Sequence, residues 1–209
     1  MACDLTRERA LRARGFFLVA GVDEAGRGPL AGPVVAAAVI LPGDFALEGL
    51  DDSKKIPAAR REKFFTLLTT QVGIAWSTGQ AAVDEIDRLN ILRATHLAMA
   101  RAVGALPRRP DHALVDGLPV HGLPVAHTPL VGGDALSLSI AAASIIAKVT
   151  RDRLMLALDA DYPQYGFAGH KGYGVPDHLE ALRNHGPCPV HRRSFAPVAQ
   201  ASLRFEAAT

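Results

Sequence analysis

The sequence predicts an α/β fold in which a mixed five-stranded sheet carries helices on both faces. Three short apolar segments in hairpin-like succession open the chain and predict antiparallel strands. Two further apolar segments alternate with helical patterns, which is typical of parallel strands joined by crossover helices. The last quarter of the chain mixes turns with helix, so we expect a helical C-terminal part.

The predicted strands are short, apolar and bounded by turn residues, whereas the predicted helices carry apolar side chains at helical spacing. We expect the strands at residues 16–22, 34–41, 73–81, 112–115 and 125–131. We expect the helices at residues 58–70, 83–89, 91–106, 135–161 and 177–184. Residues 1–14 are expected to form a polar lead, and the whole chain, 1–209, a single domain.

Composition narrows the class of protein. The 209 residues are 49% hydrophobic, enough to bury a sizeable core, and the formal net charge of +2 neither demands nor excludes nucleic acid. Cys3 and Cys188 are too few for a disulfide framework and lack zinc-ligand spacing, so both are expected to be reduced, non-catalytic thiols. Because the N-terminus lacks a signal-peptide core and no apolar run approaches the ~20 residues of a membrane span, we expect a cytoplasmic protein.

The most informative segment places two carboxylates at the end of the first apolar run. Asp23 and Glu24 are followed by a glycine-rich turn, Gly26-Arg27-Gly28. Carboxylates supply the hard oxygen ligands that Mg²⁺ and Mn²⁺ prefer, and glycines let backbone N–H groups approach a ligand closely. The simpler alternative is a solvated hairpin turn with no ligand.

Two further acidic residues follow later strands. Asp116 ends the fourth predicted strand, and Asp134 lies at a glycine turn after the fifth. If these strands neighbour the first, the four carboxylates meet at one sheet edge, where they repel one another unless cations neutralise them. A pair of divalent ions ~4 Å apart is the usual solution in phosphoryl transfer. The alternatives are a helix N-cap for Asp134 and an ordinary Asp-Gly turn for Asp116.

Residues 21–28, with the sequence GVDEAGRG, resemble the signature of the type 2 ribonucleases H. Further blocks match this family in the same order along the chain. They lie at residues 52–55, 115–117, 133–134, 141–152, 170–174 and 191–197. The resemblance, which covers about residues 16–198, is to bacterial ribonuclease HII rather than ribonuclease HIII. Position 134 is Asp, as in HII, and the chain has no room for the extra N-terminal domain of the HIII branch.

The resemblance implies a ribonuclease H-like fold and an endonuclease. Its substrates would be RNA/DNA hybrids and duplex DNA with a single embedded ribonucleotide, nicked on the 5′ side to leave 5′-phosphate and 3′-hydroxyl ends. Asp23, Glu24, Asp116 and Asp134 would hold two Mg²⁺ or Mn²⁺ ions, one activating a water and the other stabilising the departing 3′ oxygen. The segment from about 162 to 209 would contact the substrate.

Discrimination between RNA and DNA requires a group that reads the 2′-hydroxyl. The resemblance assigns this task to backbone groups of Gly26, Arg27 and Gly28 together with Tyr173, which without the family context would be taken for a half-buried core aromatic. The candidates for phosphate contacts are polar or basic, and each is otherwise a solvated surface group. They are Ser144, Lys148, Lys54, Lys55, Arg192 and Arg193. Asp152 is expected near the site but not as a ligand.

Other functions remain open at this point. Four late histidines leave open metal-free RNA cleavage, in which a His/Lys pair uses the ribose 2′-hydroxyl as nucleophile, although local hydrogen bonding explains them more simply. They are His170, His178, His185 and His191. A junction resolvase or transposase would share the fold and the metal chemistry without needing the 2′-hydroxyl. A binding module without catalysis would be insensitive to loss of Asp23. We expect a monomer, and residues 199–209 identify no clamp-protein partner.

Overall fold

The computed structural model describes residues 3–206, and its centre is one five-stranded sheet. The strands are β1 Val19–Ala25, β2 Val34–Ile40, β3 Ala75–Ala81, β4 His112–Asp116 and β5 His127–Leu130. Their order across the sheet is β3-β2-β1-β4-β5. β1, β2 and β3 pair antiparallel, whereas β4 lies parallel to β1 and β5 parallel to β4. The predicted mixed five-stranded sheet is confirmed.

Helices cover both faces of this sheet, as predicted. They are α1 Thr6–Ala13, α2 Ala58–Thr70, α3 Val83–Leu89, α4 Ile91–Gly104, α5 Leu138–Asp161, α6 Phe167–His170, α7 Pro176–His185 and α8 Ala196–Glu206. Short 3-10 turns lie at Gly133–Ala135 and Pro163–Tyr165. α4 packs on one face, and α5 with α2 packs on the other. Within residues 3–206, no helix has both the length and the apolar character that a membrane crossing requires.

The interior position of β2, between β3 and β1, explains its uninterrupted apolar sequence. All seven of its residues are buried. Ala36 and Ala38 belong to the core cluster beneath α4, while Ala37 and Val39 belong to the cluster beneath α5. Because successive side chains of a strand point to opposite faces, a strand covered on both sides must be apolar throughout.

A glycine brings α5 unusually close to β1. A Cβ atom at Gly21 would lie 2.1 Å from the backbone carbon of Ser139, so no other residue fits there without moving the helix. This contact fixes the first turn of α5 against the strand that carries Asp23 and Glu24. The next turns of the helix therefore pass beside the carboxylates, and the polar side chains of α5 reach the same cleft.

Two terminal segments differ from the prediction. The lead expected to be merely polar contains α1, in which Glu8 and Leu11 are buried. The tail contains α8, whose Val198 and Ala201 are buried, in addition to the predicted helix that is observed as α7. Charge masked the apolar positions of α1 in the sequence. Residues 1–2 of the predicted lead and 207–209 of the predicted tail lie outside the described part of the chain.

Candidate active site

The sheet topology brings the acidic residues of three strands to one edge. β1 begins and ends later than predicted, so Asp23 and Glu24 lie within the strand rather than after it. β4 runs parallel beside β1 and ends at Asp116. Asp23, Glu24 and Asp116 line a cleft of about 680 Å³. Asp134 lies in the 3-10 turn after β5, directly after Gly133, whose N–H donates to Asp116 Oδ1 at 2.7 Å.

The carboxylates of β1 are buried without enough compensating charge. Asp23 is 5% exposed, and burial raises its pKa well above the usual value, with the charges of Glu24 and Asp116 raising it further. Its partner is the N–H of Glu24, which donates to Oδ1 at 2.6 Å. Burial also raises the pKa of Glu24, although Arg27, 3.3 Å from Oε1, opposes the shift. Such an arrangement is stabilised by a bound cation.

Asp134 belongs to the same electrostatic group. Burial raises its pKa, and the neighbouring charges of Asp52 and Asp116 raise it further. The alternative role as N-cap of the following helix is wrong, because Ser137 occupies that position and its side chain accepts from the Ile140 N–H at 3.3 Å. Asp116 is followed by a turn in which Gly117 has φ +84°, as the Asp-Gly alternative predicted. Its carboxylate nevertheless lines the cleft and accepts from the Gly133 N–H.

Divalent ions fit this donor set by chemistry rather than by a ready-made cage. Across residues 3–206, no three His, Cys, Asp or Glu side chains are grouped closely enough to hold an ion as they stand. Mg²⁺ keeps several waters and is commonly bound by one or two carboxylates together with substrate phosphates. Carboxylate oxygens that raise one another's pKa supply both the hard ligands and the negative potential for such open binding.

The remaining lining of the cleft is basic and polar. It contains the turn Gly26-Arg27-Gly28 and Tyr173, whose side chain is 45% exposed. Lys54 and two side chains of α5, Ser144 and Lys148, also belong to it. Ser144 is buried and donates to Ser53 Oγ at 2.8 Å, and Lys148 binds Asp152 at 2.6 Å. The structure therefore gathers most of the predicted substrate-binding residues around the carboxylates.

Two predicted phosphate-contacting residues lie outside the cleft. Arg192 was expected to contact phosphate, but it is 0% exposed and enclosed by backbone carbonyls, so that prediction is wrong. Lys55 pairs with Asp51 at 3.2 Å and lines a separate hollow beside Cys3. Asp152 lies beside the site, since it pairs with Lys148 of the cleft lining and with Arg61. Arg193 is exposed, and its contact with phosphate stays a prediction.

The histidines form a hydrogen-bonded cluster behind the cleft. The buried rings of His178 and His191 meet at 2.9 Å between their Nε2 atoms, and His178 Nδ1 bonds the Tyr173 carbonyl oxygen. His191 Nδ1 also accepts from the Cys188 N–H at 3.1 Å. Burial lowers the pKa of His191 to about 3. These side chains are held by neighbouring groups and do not line the cleft, which favours the interpretation as local hydrogen bonding.

The comparisons agree with this geometry. The family model described as ribonuclease HII matches residues 20–198. The chain belongs to the ribonuclease HII family. A ribonuclease HII of Moorella thermoacetica is 58% identical over 188 residues, which cover 90% of this chain and 91% of that protein. Family membership makes the chain a metal-dependent endoribonuclease of the ribonuclease H type that acts on RNA/DNA hybrids.

Solved structures agree with the fold. The ribonuclease H2 of Pyrococcus horikoshii superposes with a TM-score of 0.76 at 29% identity, covering 90% of this chain and 98% of that one. The Mn²⁺ complex of Bst ribonuclease HIII shares the fold, with a TM-score of 0.68 at 16% identity over 92% of this chain and 71% of that one. The expected resemblance to ribonuclease HII is confirmed.

Sequence reasoning missed the groups that support the ribonuclease HII site from behind. Ser53 binds Ser144, Asp52 shifts the pKa of Asp134, and Arg151 lies against Gly26 so closely that a Cβ there would be 2.0 Å from its Nε. Asp52 and Ser53 lie in a block that resembles the family, so their position was a usable signal. Arg151 lies in the matching block at residues 141–152, but nothing in the sequence indicates that its side chain is buried against the glycine turn.

Proposed function

We propose that this ribonuclease nicks duplex DNA on the 5′ side of a single embedded ribonucleotide, in addition to cutting hybrids. The supporting observation is one cleft that joins Asp23, Glu24 and Asp116 to the Gly26–Gly28 turn and Tyr173. Asp134 lies next to it, in the turn whose Gly133 N–H binds Asp116. In this proposal the catalytic residues and the ribose-recognising residues lie side by side in one cleft. Products with 5′-phosphate and 3′-hydroxyl ends follow from direct attack of water on the scissile phosphodiester.

In this proposal Asp23, Glu24, Asp116 and Asp134 hold two Mg²⁺ or Mn²⁺ ions. When bound, the ions supply the Lewis acidity that activates water and stabilises the departing oxygen. The protein keeps the carboxylates partly dehydrated and close together, so that their negative charge favours cations and phosphate enters only with them. Lys54 and Lys148, which also line the cleft, contribute positive charge toward the phosphate backbone.

Ribose recognition is assigned to the Gly26–Gly28 turn and Tyr173. Backbone N–H groups of the Gly26–Gly28 turn approach the sugar because no Cβ stands in the way at either glycine. The ring of Tyr173 stacks on the sugar or base, while its hydroxyl bonds the ribose. The nearest side-chain neighbour of a Cβ placed on Gly28 would be the Tyr173 ring at 3.6 Å, so turn and ring act on the same nucleotide.

The decisive experiment uses a DNA duplex with one ribonucleotide, incubated with the protein and Mg²⁺ or Mn²⁺, with chelator as the control. We expect a metal-dependent nick on the 5′ side that leaves 3′-hydroxyl and 5′-phosphate ends. Cutting of all-DNA junctions without cutting at the ribonucleotide would instead favour a resolvase-like enzyme. A cyclic phosphate end would assign the chemistry to the 2′-hydroxyl and a histidine.

Substitution of Tyr173 tests the recognition half of the proposal. Tyr173→Ala removes the stacking ring and its hydroxyl, so cleavage at a single ribonucleotide should fall about tenfold or more, while overall affinity for duplex changes less. The matched control is Tyr162→Ala, which lies outside the cleft. Equal losses of cleavage and of affinity in Tyr173→Ala would make the residue structural. A cytoplasmic location and a monomeric state stay predictions.

A further inference from the structure

Two arginines are buried near the cleft, although the proposed chemistry uses neither. Arg151 is 1% exposed and Arg192 is 0% exposed. In the described chain neither forms an ion pair with an acidic side chain. Burial lowers the pKa of Arg192 to about 9 and that of Arg151 to about 10, so both remain protonated at neutral pH. Burying two unpaired cations is costly, and it requires strong compensation by hydrogen bonds.

Arg192 obtains this compensation from a single turn. Its Nη2 donates to the Gly26 carbonyl at 2.6 Å. Its Nη1 donates to the carbonyls of Arg27 at 2.9 Å and Pro29 at 2.7 Å. Its Nε donates to the Gly32 carbonyl at 2.9 Å. One guanidinium therefore gathers four carbonyls from seven consecutive residues, a geometry that only the five-donor fork of Arg permits.

Arg151 extends the same arrangement to the turn before Tyr173. Its Nε and Nη2 donate to the carbonyls of Pro33 and Ala31, both at 3.0 Å. Its Nη1 donates to the Lys171 carbonyl, also at 3.0 Å. The two turns meet directly as well, since the Leu30 N–H donates to the Gly172 carbonyl at 2.8 Å. Arg151 thus ties the residues preceding Tyr173 to the turn that contains Gly26 and Gly28.

The inward carbonyls determine where the N–H groups point. In a planar trans peptide, the C=O and the following N–H point in opposite directions. With the Gly26 and Arg27 carbonyls directed at Arg192, the N–H groups of Arg27 and Gly28 point away from it. Gly26, Arg27 and Gly28 line the cleft, and within residues 3–206 those two N–H groups have no hydrogen-bond acceptor.

We propose that Arg192 and Arg151 are positioning residues for ribose specificity. They fix the turn so that two adjacent N–H donors face the substrate, and they fix Tyr173 at a set distance from those donors. Arg192 is fully buried and Arg151, which lines the cleft, is 1% exposed, so in this proposal both act through the backbone that they hold. The inference rests on the proposed recognition of a single ribonucleotide, and it names the residues that hold the recognition surface in place.

The test compares binding rather than turnover. Affinities for a duplex with one ribonucleotide and for the same all-DNA duplex are measured by fluorescence anisotropy in EDTA, where metal-dependent hydrolysis does not run. Arg192→Lys keeps the charge but loses the planar fork. We expect it to reduce the ratio of the two affinities about tenfold, with affinity for all-DNA duplex nearly unchanged. A loss of one or two hydrogen bonds to the ribose corresponds to this size of effect.

A second variant and a control keep the outcomes separable. Arg151→Lys retains the four bonds of Arg192 and should reduce the ratio less, and it replaces Arg192→Lys if thermal unfolding shows that variant to be unfolded. Arg153→Lys is the matched control on the same helix, because Arg153 is exposed and pairs with Glu62. A folded Arg192→Lys with the wild-type ratio would overturn the inference alone. A wild-type protein that binds both duplexes equally would overturn the proposed ribose recognition itself.

Discussion

The cleft carboxylates and the arginine that holds the neighbouring turn bury charge in opposite ways. Asp23 is buried beside two other carboxylates with few hydrogen bonds, so its charge is poorly compensated. Arg192 is buried more completely, yet all of its hydrogen bonds go to carbonyl oxygens of one turn. An uncompensated buried charge is costly to the fold and is suited to a ligand, whereas a compensated one stabilises the backbone around it. Substitutions of the cleft carboxylates and of the buried arginines should therefore have different effects.

The largest expected effect is the loss of activity when a cleft carboxylate is replaced. Asp23→Asn removes a charge that the proposed ions need, and we expect kcat to fall by about 1000-fold, roughly 4 kcal/mol of activation free energy. The melting temperature should stay equal or rise, because the variant also removes a repulsive buried charge. Cleavage of a hybrid and thermal unfolding measure the two quantities. Asp44→Asn, at an exposed loop position, is the control. Full activity in Asp23→Asn would disprove the site assignment.

Within residues 3–206, Glu8 is a buried carboxylate with one well-bonded oxygen and one unpaired oxygen. Its Oε1 accepts from the Ser137 and Ser139 hydroxyls, each at 2.6 Å, and from the Ser139 N–H at 3.0 Å, while Oε2 has no partner in the described chain. Glu8→Ala leaves these buried donors unsatisfied, so the free energy of unfolding should drop by about 3 kcal/mol. The melting temperature would fall by roughly 6–12 °C.

The result for Glu8 has a simple contrast. Glu48 is exposed, and Glu48→Ala should change the melting temperature by less than about 2 °C. At 25 °C the folded Glu8→Ala protein should retain most of its kcat, since Glu8 lies outside the cleft. A variant with normal stability would show that the hydrogen bonds around α1 contribute nothing to the fold.

Divalent metal should stabilise the folded protein by binding at the cleft carboxylates. Mn²⁺ at about 100 times its Kd adds roughly 2.7 kcal/mol, equivalent to about 5–10 °C in melting temperature. Folding raises the pKa values of Asp23, Glu24 and Asp134. Without metal, these groups therefore destabilise the fold above their raised pKa values, and the penalty is relieved as the pH falls through them.

The metal effect should consequently depend on pH. At pH 7.5 more carboxylate is ionised than at pH 5, so the upward shift caused by Mn²⁺ should be larger at pH 7.5. Differential scanning fluorimetry at both pH values measures it. Asp23→Asn should lose much of the shift. An equal shift in that variant would place the ion elsewhere on the protein.

The sequence predicted those parts of the molecule that depend on local pattern. The strands are apolar runs, and Asp23 and Asp116 follow from their position near strand ends, where parallel topology brings side chains together. The role of Arg192 was predicted wrongly, because a basic residue in a turn-rich tail looks the same whether it faces solvent or carbonyls 160 residues away. Likewise, the charges of α1 concealed the buried positions of Glu8 and Leu11. Tertiary contacts, which no local pattern encodes, decided these cases.

The smallest effect tests this limit with two adjacent lysines. Lys54 lines the cleft, and although burial lowers its pKa, the carboxylates of Asp52, Asp23 and others outweigh this and raise it. Lys55 pairs with Asp51 outside the cleft. Lys54→Ala should therefore raise KM severalfold and reduce the slope of log affinity against log salt by about 1, as expected for one lost phosphate contact. Lys55→Ala should change both much less, since an exposed ion pair contributes little. Identical changes in the two variants would mean that the substrate covers both lysines, and that the groove extends beyond the carboxylate cleft toward Cys3.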